Sequence, residues 1–139
     1  MKVLIDTNVI LDVLIGRKPH LESSAKILML CEGKVGGMIT VSQTTDIFYL
    51  LRKENMSNEN SRKILKKLAE KLVVIDVKKE DMEKALNSTV KDYEDALLSV
   101  AGIRCNAKYI ITRNTKDFKE SELEAISPTN FLERYKLLR

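Results

Sequence analysis

Val3-Leu4-Ile5-Asp6-Thr7-Asn8-Val9-Ile10-Leu11-Asp12-Val13-Leu14-Ile15-Gly16 is the stretch on which the fold turns. Val3-Leu4-Ile5 is a short continuous apolar run, the pattern of a strand buried on both faces. Asp6 ends it. Thr7 and Asn8 lead into Val9-Ile10-Leu11, and Val13-Leu14-Ile15 follows one helical turn later, closed by Gly16. A helix therefore starts directly off a strand, with an acid at the junction.

The same alternation continues outward. A second helix is expected from Pro19 or Leu21 to Gly33, then a strand over Met38–Val41 and a helix with Ser42 as N-cap, fading at Asn55. Residues 59–71 carry Ile64, Leu65, Leu68 and Leu72 against a lysine-rich face, the mark of an amphipathic helix. Val73–Val77 reads as a third strand, followed by helices over Lys79–Leu86 and from about Asp92 to Cys105. Tyr109–Thr112 and Ala125-Ile126 complete the strands before Ser127-Pro128 opens the last helix. Strands alternating with helices predict an α/β fold, a three-layer α/β/α sandwich with a central parallel β-sheet. Sites in that architecture lie beyond the carboxyl ends of the strands, which singles out Asp6, Ser42, Asp76 and Thr112-Arg113-Asn114.

The chain has 139 residues, 44% of them hydrophobic and 32% charged, which suits one domain over 1–139 with its own core. Five Gly and two Pro exclude collagenous and low-complexity classes. No apolar run approaches the roughly 18 residues of a membrane span, and Asp6 interrupts the start too early for a signal peptide. A cytoplasmic protein without membrane association is expected. Cys31 and Cys105 lie far apart and His20 is the only histidine, so no zinc spacing exists; two reduced thiols are expected. With 24 Lys and Arg against 20 Asp and Glu, the net charge of +4 mildly favours anionic partners.

The acids carry the chemistry. Asp6 follows the first strand, Asp46 lies early in the third helix, and Asp92 and Asp95 share one face at a helix start. Asp117 follows the fourth strand. Each alone has an ordinary explanation as a cap, a first-turn acid or a turn residue. Together they fall at one end of one sheet, where converging carboxylates need a cation to coexist. Oxygen-only ligands select Mg²⁺ or Mn²⁺.

At this point the residues resemble a known family. Asp6-Thr7-Asn8-Val9-Ile10-Leu11-Asp12 looks like the opening of PIN-domain ribonucleases, the group that includes VapC-type toxins. Val41-Ser42-Gln43-Thr44-Thr45-Asp46-Ile47, Asp92-Tyr93-Glu94-Asp95-Ala96-Leu97 and Ile111-Thr112-Arg113-Asn114-Thr115-Lys116-Asp117-Phe118 resemble the second, third and fourth motifs, in order. Ile126-Ser127-Pro128 into Phe131-Leu132 is similar to the family's last strand and helix. The resemblance implies a PIN-like fold with Asp6, Asp46, Asp95 and Asp117 as catalytic, metal-holding acids. It implies that Asn8 and Thr112 orient them and that Asp92 sits beside Asp95. Two positions depart from the pattern: Asp46 is one methylene shorter than the usual Glu, and Asn114 stands where an acid is common, offering a carbonyl oxygen instead.

A carboxylate-held Mg²⁺ or Mn²⁺ activates water and stabilises charge on phosphate, so phosphodiester hydrolysis is the natural reaction. The resemblance specifies RNA, making the chain a metal-dependent endoribonuclease. It also implies the toxin role in a toxin–antitoxin pair, with a cognate antitoxin and a homodimer as partners. Arg113 and Lys116, beside the acids, are the candidates for phosphate contact. Between Arg52 and Lys71, seven basic residues stand against three acids, a segment that either guides RNA or forms a solvated face. Aromatics make up 5%, which argues against an extended base-stacking platform. Two alternatives stay open: a catalytically impaired PIN-like module that binds RNA or protein, and an Asp6-nucleophile phosphatase, whose pattern wants an acid where Asn8 stands.

Overall fold

The computed structural model describes residues 1–138, so the final residue of the expected 1–139 domain lies outside it. Five parallel strands form the sheet: β1 (Lys2–Ile5), β2 (Gly36–Thr40), β3 (Val73–Ile75), β4 (Tyr109–Ile111) and β5 (Glu124–Ile126), in the order β3-β2-β1-β4-β5. The chain moves outward from β1 through β2 to β3, then returns to the other side of β1 for β4 and β5. Strand order therefore reverses between β1 and β4, and the crevice beyond their carboxyl ends is the topological switch point.

Helices α1 (Thr7–Leu14), α2 (Leu21–Leu30), α3 (Val41–Lys53), α4 (Asn58–Lys71) and α7 (Pro128–Leu138) cover one face; α6 (Tyr93–Arg104) covers the other, with α5 (Lys79–Leu86) packed beside it. The pleat makes this division inevitable. Val3, Ile5, Ile39, Tyr109 and Ile111 point into the larger core with Ile10, Ile47 and Phe131, while Leu4, Met38 and Ile110 point into the smaller one with Leu98, Ala101 and Phe118. Both faces are apolar, as a covered parallel sheet demands. The three-layer sandwich expected from the sequence is thus the observed fold.

The main local correction concerns the start of α3. Its N-cap is Thr40, not Ser42: the Gln43 N–H donates to Thr40 Oγ1 (3.2 Å) and the Thr40 N–H donates to Gln43 Oε1 (2.8 Å). This reciprocal box outcompetes a lone serine. Ser42 instead shares a hydrogen bond with Thr40 Oγ1 (2.8 Å). Strands β2 and β3 also end earlier than their apolar runs suggest, because Val41 and Val77 lie past the last paired residues.

Close packing fixes one glycine. A Cβ on Gly37 would lie 2.5 Å from Cys31 Sγ and 2.9 Å from Cys31 Cβ. We expect Gly37→Ala to destabilise the fold by about 1–3 kcal/mol, the usual range for overpacking, measured by urea unfolding.

Candidate active site

Asp6 is the hub. It caps α1 by accepting from the Thr7 N–H (2.7 Å), and its other oxygen accepts from the Thr112 hydroxyl (2.7 Å) and the Asn8 side-chain amide (3.2 Å). Asn8 also donates to Thr112 Oγ1 (3.4 Å), and the Asn114 N–H donates there too (3.0 Å). A direct backbone link from the Asp6 N–H to the Ile111 carbonyl (2.9 Å) holds the ends of β1 and β4 together. Burial pushes the Asp6 carboxyl above the usual range; the Thr112 and Thr7 bonds oppose that rise. Thr112→Val would remove the strongest of these donors. We expect it to cost about 1–2 kcal/mol in urea unfolding and to weaken divalent-metal binding, measured by calorimetry.

The other acids arrive from α6 and α3. Asp92 caps α6, accepting from the Asp95 N–H (3.0 Å), and so fixes the first turn. A cavity of about 330 Å³ at the switch point is bordered by Asp6, Asn8, Asp92, Glu94, Asp95 and Asn114, among others. Burial first, then Asp92, Asp6 and Asp117, lift the Asp95 carboxyl to about 7. Glu94 is likewise raised, by burial and by the neighbouring Asp46 carboxylate. Asp46 thus reaches the site through Glu94 rather than by bordering the cavity itself. Gln43 secures that arrangement: its amide donates to the Ile5 carbonyl (2.8 Å), bolting the start of α3 to the end of β1.

Asp117 is exposed on a 3-10 turn, Thr115–Phe118, and borders an adjoining cavity with Asp92, Asp95 and Lys116. Buried Phe118 anchors that turn. Arg113 requires a correction. Its guanidinium is committed to fully buried Asp12 through Nε (2.8 Å) and Nη2 (3.1 Å), and Asp12 also accepts from the Ser24 hydroxyl (3.0 Å). The residue expected at phosphate is a brace between β4, α1 and α2. Asp12 and Glu94 both escaped the sequence reading. The available signals were an acid on the apolar stripe of α1 and a third acid inside Asp92–Asp95.

Among the described residues, no three acids, histidines or cysteines are already arranged round one ion position. The donor set nonetheless suits a hard cation: it is all oxygen, and burial first, then repulsion among the acids, raises the carboxyls at Asp6, Glu94 and Asp95, a cost that a divalent ion would offset. Asn8, not an acid, borders the cavity two residues after Asp6, which separates the site from the phosphatase pattern. No described helix is long and apolar enough to cross a membrane.

Comparison with known proteins gives a consistent picture. Three solved structures share the fold. VapBC2 from Rickettsia felis, bound to a DNA fragment from its promoter, has a TM-score of 0.72 at 18% identity, covering 91% of this chain and 98% of that one. A toxin–antitoxin complex from Klebsiella pneumoniae has a TM-score of 0.69 at 21% identity, covering 91% and 97%. Mycobacterium tuberculosis VapC20, a Sarcin-Ricin loop cleaving toxin, has a TM-score of 0.65 at 13% identity, covering 88% and 98%. No curated protein matches the chain in sequence. The family model described as the PIN domain matches residues 2–116, from the start of β1 to one residue short of Asp117, and on that match the chain belongs to the PIN-domain family.

Proposed function

We propose that this chain is a metal-dependent endoribonuclease that hydrolyses RNA phosphodiester bonds, the toxin member of a toxin–antitoxin pair. The observation that supports it most is the gathering of Asp6, Asp92, Glu94 and Asp95 round one cavity at the switch point, with the Asp95 carboxyl lifted to about 7. Such a set is electrostatically unfavourable on its own and useful with a cation. Asp6, Asp95 and Glu94 would hold Mg²⁺ or Mn²⁺, Asp46 would act on the ion through Glu94, and Asp117 would complete the site from the adjoining cavity. The bound ion supplies an activated water and charge stabilisation on the phosphate. Thr112 and Asn8 keep Asp6 in its ligating orientation, and the Asp92 cap holds the first turn of α6 in place. Lys116 borders the adjoining cavity with Asp92, Asp95 and Asp117 and is the phosphate contact.

VapBC complexes among the structural relatives support a cognate antitoxin as partner; a homodimer is proposed from the family resemblance. The test is cleavage of single-stranded RNA by purified protein with Mg²⁺ or Mn²⁺, with EDTA as the blank. Asp6→Asn and Asp95→Asn are each expected to lower the rate by at least about a hundredfold. Retained cleavage in both would sink the assignment. Metal binding without any cleavage by the wild-type chain would favour the impaired binding module.

A further inference from the structure

Two cavities meet at Asp92 and Asp95, and they differ in their cations. The cavity over Asp6 has four carboxylates and a single basic residue, Arg17, whose guanidinium already faces Asp12 (3.9 Å). The adjoining one, about 550 Å³, also has four carboxylates, Asp92, Asp95, Asp117 and Glu120, but these are joined by Lys91, Lys116 and Lys119. None of these three lysines has an ion-pair or hydrogen-bond partner for its ammonium group among the described residues. They come from two anchored segments. Lys91 directly precedes the α6 cap Asp92, while Lys116 lies within, and Lys119 directly follows, the turn pinned by Phe118.

A polyanion reaching Asp95 meets carboxylates in either direction, but only the adjoining exit carries three free ammonium groups to offset them. We propose that Lys91, Lys116 and Lys119 form a phosphate clamp that holds the RNA strand on one side of the cleaved bond, in the cavity beyond Asp95. This rests on the ribonuclease reading above and adds to it a direction for the strand and two residues, Lys91 and Lys119. Compact, rotatable ammonium groups suit the backbone phosphates of a flexible single strand, irrespective of base.

The test is the salt dependence of binding to a short fluorescein-labelled single-stranded RNA, read by anisotropy with Ca²⁺ in place of Mg²⁺ and the RNA checked for integrity. Each phosphate contact on a single strand contributes about 0.7 to the slope of log Kd against log salt, so losing three flattens it by about 2. Lys91→Gln/Lys116→Gln/Lys119→Gln is expected to show that loss, and the corresponding triple Arg variant to keep the slope. The control Arg62→Gln/Lys66→Gln/Lys67→Gln removes the same charge from exposed positions on α4 that border neither cavity, and is expected to keep the wild-type slope. Equal flattening in both Gln triples, or none in the first, overturns the clamp. If the wild type cleaves RNA with Mg²⁺ while the clamp variant binds normally, only the clamp falls; if the wild type neither binds nor cleaves RNA, the ribonuclease reading falls with it.

Discussion

Asp95→Asn is expected to stabilise the metal-free protein at alkaline pH while ending RNA cleavage. The Asp95 carboxyl stands at about 7 in the fold against an ordinary 3.8, through burial and the neighbouring Asp92, Asp6, Asp117 and Glu94. Folding therefore binds its proton more tightly than the unfolded chain does. The stability this confers is fully present below about 3.8 and is lost as pH rises through about 7. About three pH units correspond to roughly 4 kcal/mol, and solvent screening at a half-buried site cuts that to about 2 kcal/mol. In EDTA, the wild-type thermal midpoint should fall between pH 5 and pH 8 by roughly 6 °C more than that of Asp95→Asn. Adding Mg²⁺ or Mn²⁺ at pH 8 should recover most of the difference in the wild type and little in the variant. Parallel pH profiles for the two proteins would mean that repulsion at Asp95 is not what a cation relieves.

That dependence on context explains which parts of the site could be read from the chain. Asp6 was legible because an acid ending an apolar strand has few other uses, and the strand–helix alternation put it at the sheet's carboxyl edge. The sheet itself was legible for a related reason: the continuous apolar runs Val3-Leu4-Ile5 and Tyr109-Ile110-Ile111 mark strands buried on both faces. Glu94 was harder. The i, i+3 spacing of Asp92 and Asp95 suggested one face, yet Asp92 is the cap and lies outside the helix, so helical spacing does not rank the three acids. Asp46, expected at the metal, lies close enough to Glu94 to raise its carboxyl, a proximity across two helices that no local pattern encodes. The α3 cap turns on a local pairing: Ser42 is a fitting cap residue, but Thr40 and Gln43 satisfy each other two residues earlier.

Arg113→Ala is expected to be the most destabilising single change at this end of the sheet, by about 3–5 kcal/mol in urea unfolding, because it strands a charge on Asp12 inside the core. Partial compensation from Arg17, 3.9 Å from Asp12 and more exposed, sets the lower end of that range. Arg113→Lys should lose part of the stability as well, since a point charge does not span both Asp12 oxygens as the guanidinium fork does. The consequence extends to the acids: Arg113 follows Thr112 in the chain, and its own N–H donates to Asn8 Oδ1 (3.4 Å), so loosening it disturbs both donors that orient Asp6. Divalent-metal affinity should fall with stability in Arg113→Ala. The paired variant Asp12→Leu/Arg113→Met removes both charges at similar volume and should recover most of the stability, as buried ion pairs replaced whole usually do. It also decides the residue's role. A phosphate contact at Arg113 would flatten the salt slope of RNA binding by about 0.7 in the paired variant; a guanidinium held on Asp12 through Nε and Nη2 leaves it unchanged, and that is the expected result.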